Sequence, residues 1–423
     1  MKTKLEIYKN HIFFKYKSQM TCFDVVNDIP TTNKTIFLRC DLDVPLTENG
    51  GIADDRKLKE AMKTINYLIK TGARVVIATH LGNPKGERDE KFSTRVIAQY
   101  LDRHLRCDVF FCEYCIGEIA KRTIFRASYG DVVVLENLRF HKEEYTCDLN
   151  FARQLADGMN IYVNDAFSAS NYSYASIIGV PLFIRATAGF NLQLEVSNLD
   201  KVVRGGNQNI VSIIGGTKLS TKFEMINNLI ERSRYIFICG AVANTFLRAA
   251  EYNIGKSVYE PSCTQYVDGL LKKATEYNCI LATPEEVIVA KELKKGAKTK
   301  TKKITEIEDN DIIVDVGESY VELIKTMINH TKYVIWNGSL GIADIPLFNR
   351  GDLELITEIA KLTKKKKIFS IAGGQDTNAT IVKSGHKYDF SFLSYAGDSF
   401  SNYLAGRIVP GVEVLHRLAK QPE

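Results

Sequence analysis

Three segments of this chain combine glycine with charged side chains in a pattern suited to an anion. In Ile213-Ile214-Gly215-Gly216-Thr217-Lys218-Leu219-Ser220-Thr221-Lys222 an apolar run meets two glycines and then two lysines four residues apart. Glycine lets backbone approach a ligand, and a helix N-terminus offers it unpaired N–H groups. The spacing predicts that Lys218 and Lys222 share one helical face. A plain turn between strand and helix with surface lysines fits the pattern equally well. Ile371-Ala372-Gly373-Gly374-Gln375-Asp376-Thr377 sets Asp376 near a helix start, as an N-cap or as a ligand for Mg²⁺ carried by phosphates; alone, the cap is the simpler reading. Trp336-Asn337-Gly338-Ser339-Leu340-Gly341 ends a third apolar run.

A second set lies earlier in the chain. Arg39-Cys40-Asp41-Leu42-Asp43, His80-Leu81-Gly82-Asn83 and Glu136-Asn137-Leu138-Arg139 each follow an apolar run. Arg39, His80 and Arg139 are predicted to converge at one sheet edge, which suggests a small phosphorylated acid. Other chemistries find no support. Gly255-Lys256-Ser257 resembles the end of a P-loop, but Ala250 stands where that motif needs glycine. No G-x-G-x-x-G opens a helix, so a dinucleotide cofactor is not indicated. Cys112-x-x-Cys115 lacks the second pair a zinc site needs.

The elements that must position these groups follow from periodicity. Continuous apolar runs at Ile36–Arg39, Val75–Thr79, Val132–Leu135, Ile161–Val163, Ile210–Ile214, Tyr235–Ile238, Ile312–Val314, Tyr333–Trp336 and Ile368–Ile371 read as strands buried on both faces of parallel sheets. Helical patterns fall between them. In one, Leu58, Ala61, Met62, Ile65, Leu68 and Ile69 form a single stripe, with Gly72 as its stop. The order predicts an α/β chain of two doubly wound, Rossmann-like parallel-sheet lobes: residues 1–190 and 191–404, joined by a helix near Gly189–Leu199. Ligands of such sheets lie beyond the carboxyl ends of the strands. The Lys-rich runs Lys294–Lys303 and Lys364–Lys367 read as solvated surface.

Composition bounds the partners. Of 423 residues, 45% are hydrophobic and 25% charged, with a net charge of +6, too mild to suggest nucleic acid. No apolar run approaches the ~18 residues of a membrane span. Nine scattered cysteines and one tryptophan suit a reduced, cytoplasmic protein. Met1 to Met20 lacks the apolar core of a signal peptide and reads as a loose extension, and Lys420–Glu423 carries no targeting motif.

The segments Asp41–Pro45, Thr79–Gly86, Glu136–Phe140, Asn164–Ser168, Gly215–Lys222, Gly240–Leu247, Trp336–Gly341, Gly373–Thr377 and Ser394–Ser399 resemble, in order, the motifs of phosphoglycerate kinases, over about residues 36 to 416. The resemblance implies an N-terminal lobe for 3-phosphoglycerate, on which residues about 405–423 pack back. It implies a C-terminal lobe for ATP or ADP with Mg²⁺, a bending hinge and a monomer. The implied reaction is reversible phosphoryl transfer between 1,3-bisphosphoglycerate and ADP, a step of glycolysis. On the acid side it points to Arg39, Asp41, Asp43, Arg56, Lys57, His80, Asn83, Arg139 and Tyr172. On the nucleotide side it points to Gly215, Gly216, Lys218, Lys222, Gly240, Asn337, Gly338, Gly341, Asp344, Gly373, Gly374, Asp376 and Thr377. Asp376 would take the Mg²⁺, and Lys222, Lys218, Lys57 and Arg39 would be catalytic. Asp344 stands where the family usually has a ribose-binding Glu.

The chain departs from the family where the chemistry is. Asp43 replaces the Asn of D-x-N-V-P, Lys57 aligns with the catalytic Arg, and Asn83 replaces the Arg of H-L-G-R-P. A His-Arg pair becomes Asn171 and Tyr172, the Asp of G-G-A-K-V-x-D-K becomes Thr221, and Asp398 stands where the family has glycine. Charge-assisted bonds are worth roughly 1.5–3 kcal/mol each, so losing two or three removes about 10³-fold of binding or rate. Three readings follow: a working phosphoglycerate kinase with a rebuilt acid site, a nucleotide-binding pseudoenzyme with a regulatory or scaffold role, and a kinase for another small acid.

Overall fold

The computed structural model describes residues 23–203 and 209–419. The N-terminal stretch Met1 to Met20 and the Lys420–Glu423 end considered above lie outside the described residues. By internal contacts the chain divides into two units, Met1–Ser197 with Ile408–Glu423, and Asn198–Arg407.

The first unit holds an all-parallel sheet of β1 (Thr35–Arg39), β2 (Arg74–Ala78), β3 (Val109–Cys112), β4 (Val132–Leu135), β5 (Ile161–Asn164) and β6 (Arg185–Ala188), in the order β3-β4-β2-β1-β5-β6. β1, β2, β4 and β5 are buried throughout, which is why they read as unbroken apolar runs. The chain winds outward from β1 through β2 on one side, then crosses to β5 on the other. That reversal opens a crevice at the carboxyl ends of β1 and β5, where Arg39 and Asn164 sit. Helix Arg56–Lys70 buries Leu58, Ala61, Thr64, Ile65 and Leu68 against the sheet. It stops at Thr71, and Gly72 takes the left-handed φ of +73° that L-residues resist.

The second unit repeats the plan. β7 (Ile210–Ile214), β8 (Tyr235–Ile238), β9 (Ile280–Ala282), β13 (Tyr333–Asn337), β14 (Phe369–Gly373) and β15 (Phe392–Ser394) form a parallel sheet in the order β15-β14-β13-β7-β8-β9. Its reversal lies between β7 and β13. A smaller antiparallel sheet, β11-β10-β12, is built from β10 (Glu286–Ala290), β11 (Thr299–Lys303) and β12 (Ile312–Val316). The run at 312–314 therefore belongs to this sheet and not to the parallel one. The lysine run that reads as solvated surface is exposed, and its end is strand β11. Strands β3, β6, β9 and β15 escape the sequence pattern because they are sheet edges with partly exposed faces.

Helix Pro410–Ala419 belongs to the first unit, with Gly411, Val412, Val414 and Leu415 buried. The Gly411 N–H donates to the Ser170 carbonyl at 2.8 Å, and a Cβ on Gly411 would lie 2.6 Å from the Ser170 Cβ. Gly411→Val should therefore lower the stability of this unit by about 1–3 kcal/mol in urea unfolding. An unchanged midpoint would show that the close approach is dispensable.

Candidate functional site

In the first unit the groups at the β1, β2 and β4 ends come together. Arg39 is fully buried. Its Nε donates to Ser176 Oγ at 2.9 Å, one terminal nitrogen donates to the Cys40 carbonyl, and the other lies 3.2 Å from His80 Nδ1. With every nitrogen engaged and no exposed surface, Arg39 cannot touch a substrate in this conformation. In this structure Arg39 therefore stands beside His80, held within the protein. Ser176 in turn donates to Glu144 from both its hydroxyl (2.5 Å) and its N–H (2.9 Å). Burial raises the Glu144 carboxyl, and Arg39 opposes that. Sequence reasoning missed Glu144 and Ser176, since the pairing spans 32 residues.

Asp41 is the centre of the accessible part. Lys57 Nζ lies 2.8 Å from its Oδ2, which also accepts from Ser168 Oγ. Burial pushes the Asp41 carboxyl up, while Lys57, His80 and Ser168 together hold the group below the usual carboxylate range. Asp43 accepts from the Gly82 N–H at 2.8 Å and lies 3.7 Å from His80 Nε2. Arg139 donates to the Gly82 carbonyl at 2.8 Å, and its Nε is buried with no partner. Asn137 ties these loops, donating to the Leu81 and Phe92 carbonyls at 2.7 and 2.9 Å and accepting from the Arg139 N–H at 3.0 Å.

The remaining acid-side candidates differ. Arg56 turns to Asp54, its Nε 2.7 Å from Oδ2, and does not join the cluster. Asn83 accepts from the Tyr145 hydroxyl at 2.9 Å. Tyr172 stacks on Tyr174 at 5.1 Å and 15°, and the Arg139 guanidinium lies 5.6 Å from the Tyr174 ring. An aromatic wall, unforeseen in the sequence, thus flanks Arg139. It fits one guanidinium by cation–π contact.

In the second unit the turns after β7 and β13 touch. The Gly215 N–H donates to the Asn337 carbonyl at 3.0 Å. A Cβ on Gly215 would lie 2.0 Å from the Ser339 carbonyl oxygen, and one on Gly338, whose φ is +95°, 2.2 Å from that of Gly215. These two glycines are required by the contact between the turns. Asn337 accepts from Lys222 Nζ and donates to the Gly373 carbonyl at 2.8 Å. The Gly338 N–H donates to Thr377 Oγ1 at 2.9 Å. Burial lowers the pKa of Lys222, and Asp398 and Asp376 oppose the shift. Asp398 thus acts on Lys222 electrostatically, as a residue in the first turn of helix Asp398–Leu404.

Lys218 is exposed, in a turn that Glu260 fixes by accepting from the Ser220 N–H at 2.8 Å and hydroxyl at 2.6 Å. The helix starts only at Phe223, so the expected shared helical face of Lys218 and Lys222 is corrected: Lys222 caps the helix and Lys218 precedes it. Asp376 is not an N-cap either. Gly374 holds that position, with φ +107°, and Asp376 lies exposed in the first turn of helix Gln375–Lys383. Among the described residues no group of three or more His, Cys, Asp or Glu fits a metal ion. A lone exposed carboxylate suits Mg²⁺ that arrives on phosphates and keeps its waters.

Beside this cluster lies a cavity of about 300 Å³. Gly216, Gly240, Gly341, Asp344 and Asp376 line it, as do Val258, Val287, Leu293 and Val314. Gly215, Lys218, Lys222, Asn337, Gly338, Gly373, Gly374 and Thr377 lie outside its lining. The apolar wall is fed largely by β10 and β12, strands whose link to the glycine turns is not visible in local sequence. The cavity combines an apolar wall with glycine turns and the carboxylates of Asp344 and Asp376.

A profile of the family described as phosphoglycerate kinase matches residues 26–407. The chain is 38% identical over 386 residues to the phosphoglycerate kinase of Aquifex aeolicus, covering 91% of this chain and 96% of that one. It is 38% identical over 387 residues to that of Wolbachia pipientis wMel, covering 91% and 96%. The solved phosphoglycerate kinase structure from Coxiella burnetii superposes with a TM-score of 0.86 at 32% identity, covering 94% of this chain and all of that one.

The site yields a titration prediction. Burial, and after it Arg39, pushes His80 well below 6.5. Its imidazole should show no NMR titration between about pH 6 and 8. As pH falls below about 6.5, unfolded chains take up a proton that the folded His80 resists, so its contribution to stability is lost toward acid. A titration midpoint near 6.5 would refute the buried, neutral assignment.

Proposed function

The chain belongs to the phosphoglycerate kinase family, and from that premise we propose how its two clusters serve the reversible transfer of a phosphoryl group between 1,3-bisphosphoglycerate and ADP. The acid binds at the β1 and β5 ends of the first unit, and the adenine nucleotide at the β7 and β13 ends of the second. Phosphoryl transfer asks a protein for alignment and charge neutralisation more than for covalent work. In the direction of ATP consumption, a carboxylate oxygen of 3-phosphoglycerate attacks the γ-phosphorus in line and the bond to the β-bridging oxygen breaks, leaving ADP. Lys57 and Arg139 hold the acid, with Asp41 fixing Lys57 and Arg39 fixing His80. Lys222 shifts from Asn337 to the transferring group. Its partial burial makes its charge count for more there than it would in water. Asp376 would hold Mg²⁺, which supplies charge neutralisation on the phosphates when bound. Lys218 is an exposed outer cation, and Asp344 takes the ribose. The N–H groups near Gly373, Gly374 and Thr377 face the phosphates. Hinge bending at helix Phe190–Val203 brings the substrates together, and the protein works as a cytoplasmic monomer. No helix among the described residues is long and apolar enough to cross a membrane.

The observation that carries this reading is the linked set Lys222, Asn337, Gly338, Gly373 and Thr377 at the order reversal of the second sheet. A second reading, a nucleotide-binding regulator without turnover, draws on one feature of the acid side. Asp41 pairs with Lys57 and Asp43 lies beside His80, while Asn83 and Tyr172 add no charge. A coupled assay with 3-phosphoglycerate and ATP separates them. The kinase reading expects turnover, with Lys222→Ala and Arg139→Ala each cutting kcat/KM at least about tenfold. Asn83→Arg with Tyr172→Arg should lower KM for 3-phosphoglycerate about tenfold, by restoring charge-assisted bonds. Background turnover, with nucleotide but no acid binding in calorimetry, supports the regulator instead.

A further inference from the structure

Behind the acid-side cluster runs a chain of hydrogen bonds whose direction is fixed at every link. Arg39, Ser176 and Glu144 are all fully buried. A guanidinium can only donate, so Arg39 Nε gives its proton to Ser176 Oγ at 2.9 Å. The Ser176 hydroxyl, an acceptor there, directs its own proton to Glu144 Oε1 at 2.5 Å. The Ser176 N–H, at the start of the short helix Ala175–Gly179, donates to Glu144 Oε2 at 2.9 Å. Both Glu144 oxygens therefore accept, as those of an ionised carboxylate do. The buried positive charge of Arg39 thus has a buried negative charge across one hydroxyl. At its other end Arg39 Nη2 lies 3.2 Å from His80 Nδ1. Since Arg39 brings the proton, Nδ1 is the bare nitrogen, and a neutral His80 carries its proton on Nε2. Nε2 is the nitrogen turned to the partly exposed Asp43, 3.7 Å away.

We propose that Glu144 and Ser176 are positioning residues of the acid site: by holding Arg39 they fix His80 in its Nε2–H form, with a hydrogen-bond donor aimed at the bound acid. The inference rests on the reading of this cluster as the acid site and adds to it two buried residues that act through Arg39. An ionised carboxylate or phosphate only accepts hydrogen bonds. The other tautomer, with Nε2 bare, would meet it with a second acceptor. Removing Glu144 or Ser176 leaves a buried guanidinium without its counter-charge or without the link to it, and such a charge does not keep its place.

The experiment joins calorimetric titration of the full chain with 3-phosphoglycerate to NMR of the His80 ring nitrogens near neutral pH. In the wild type the two nitrogens should give well-separated signals, Nδ1 bare and Nε2 protonated. Glu144→Gln and Ser176→Ala should each weaken 3-phosphoglycerate about tenfold. Each should also draw the two ring signals toward each other as the tautomers mix, which a loss of packing elsewhere in the unit does not do. The double variant should lose little more than either single one, because both cut the same chain. Circular dichroism confirms the fold of each, and the wild-type ring signals are informative without any variant. A protonated Nδ1 in the wild type, or folded variants that keep the ring signals and the acid affinity, overturns the assignment, as do losses that add in full. If the wild type binds no 3-phosphoglycerate, the acid reading falls and the positioning roles with it, whereas equal binding by wild type and variants sinks the positioning roles alone.

Discussion

Each parallel sheet reverses its order at one central strand, and the crevice left by that reversal decides where the consequential side chains sit. At β1 and β5 it gathers Arg39, Asp41, His80 and Asn164. At β7 and β13 it brings two glycine turns into backbone contact and threads Asn337 between Lys222 and Gly373. A helix brings one further group, since Arg56–Lys70 carries Lys57 to Asp41. The chemistry is therefore anchored on strand ends, and the hydrophobic cores beneath them fix those ends in place.

The central strands are legible in the sequence because burial on both faces leaves an unbroken apolar run, as in Val132–Leu135. The edges are not. Val109–Cys112 and Arg185–Ala188 have one wet face, and Thr299–Lys303 becomes a strand only because β10 pairs with it. The glycine turns were readable as backbone approach, although Gly215 and Gly338 approach each other. Arg39 shows the limit of motif reasoning. Its type and position suggest a ligand, while its contacts with Ser176 and His80, 137 and 41 residues away, are not visible in any local segment. The apolar wall of the cavity was likewise hidden, since it is assembled from strands remote from the motifs.

Family membership and local chemistry pull in different directions on the acid side. The fold and the nucleotide turns follow the family, but the acid pocket balances two carboxylates, Asp41 and Asp43, against Lys57 and Arg139. The tyrosine stack beside Arg139 gives up a cation's long-range attraction and gains a rigid, neutral wall. On the reading proposed above, such a pocket holds its anion by fit and by two cations, Lys57 and Arg139. Salt should screen its binding less than that of a pocket lined with arginines.

The lysines of β11 have a consequence beyond solubility. This strand is the outer member of its three-stranded sheet, so one row of its backbone groups has no strand partner, and that row is a template on which another chain can zip. Lys300 and Lys303 are exposed on this strand, while Lys302 pairs with Asp311 and Glu308. Exposed lysines on an edge strand disfavour pairing with a second copy. The run that looked like featureless surface thus places charge at the edge of a sheet.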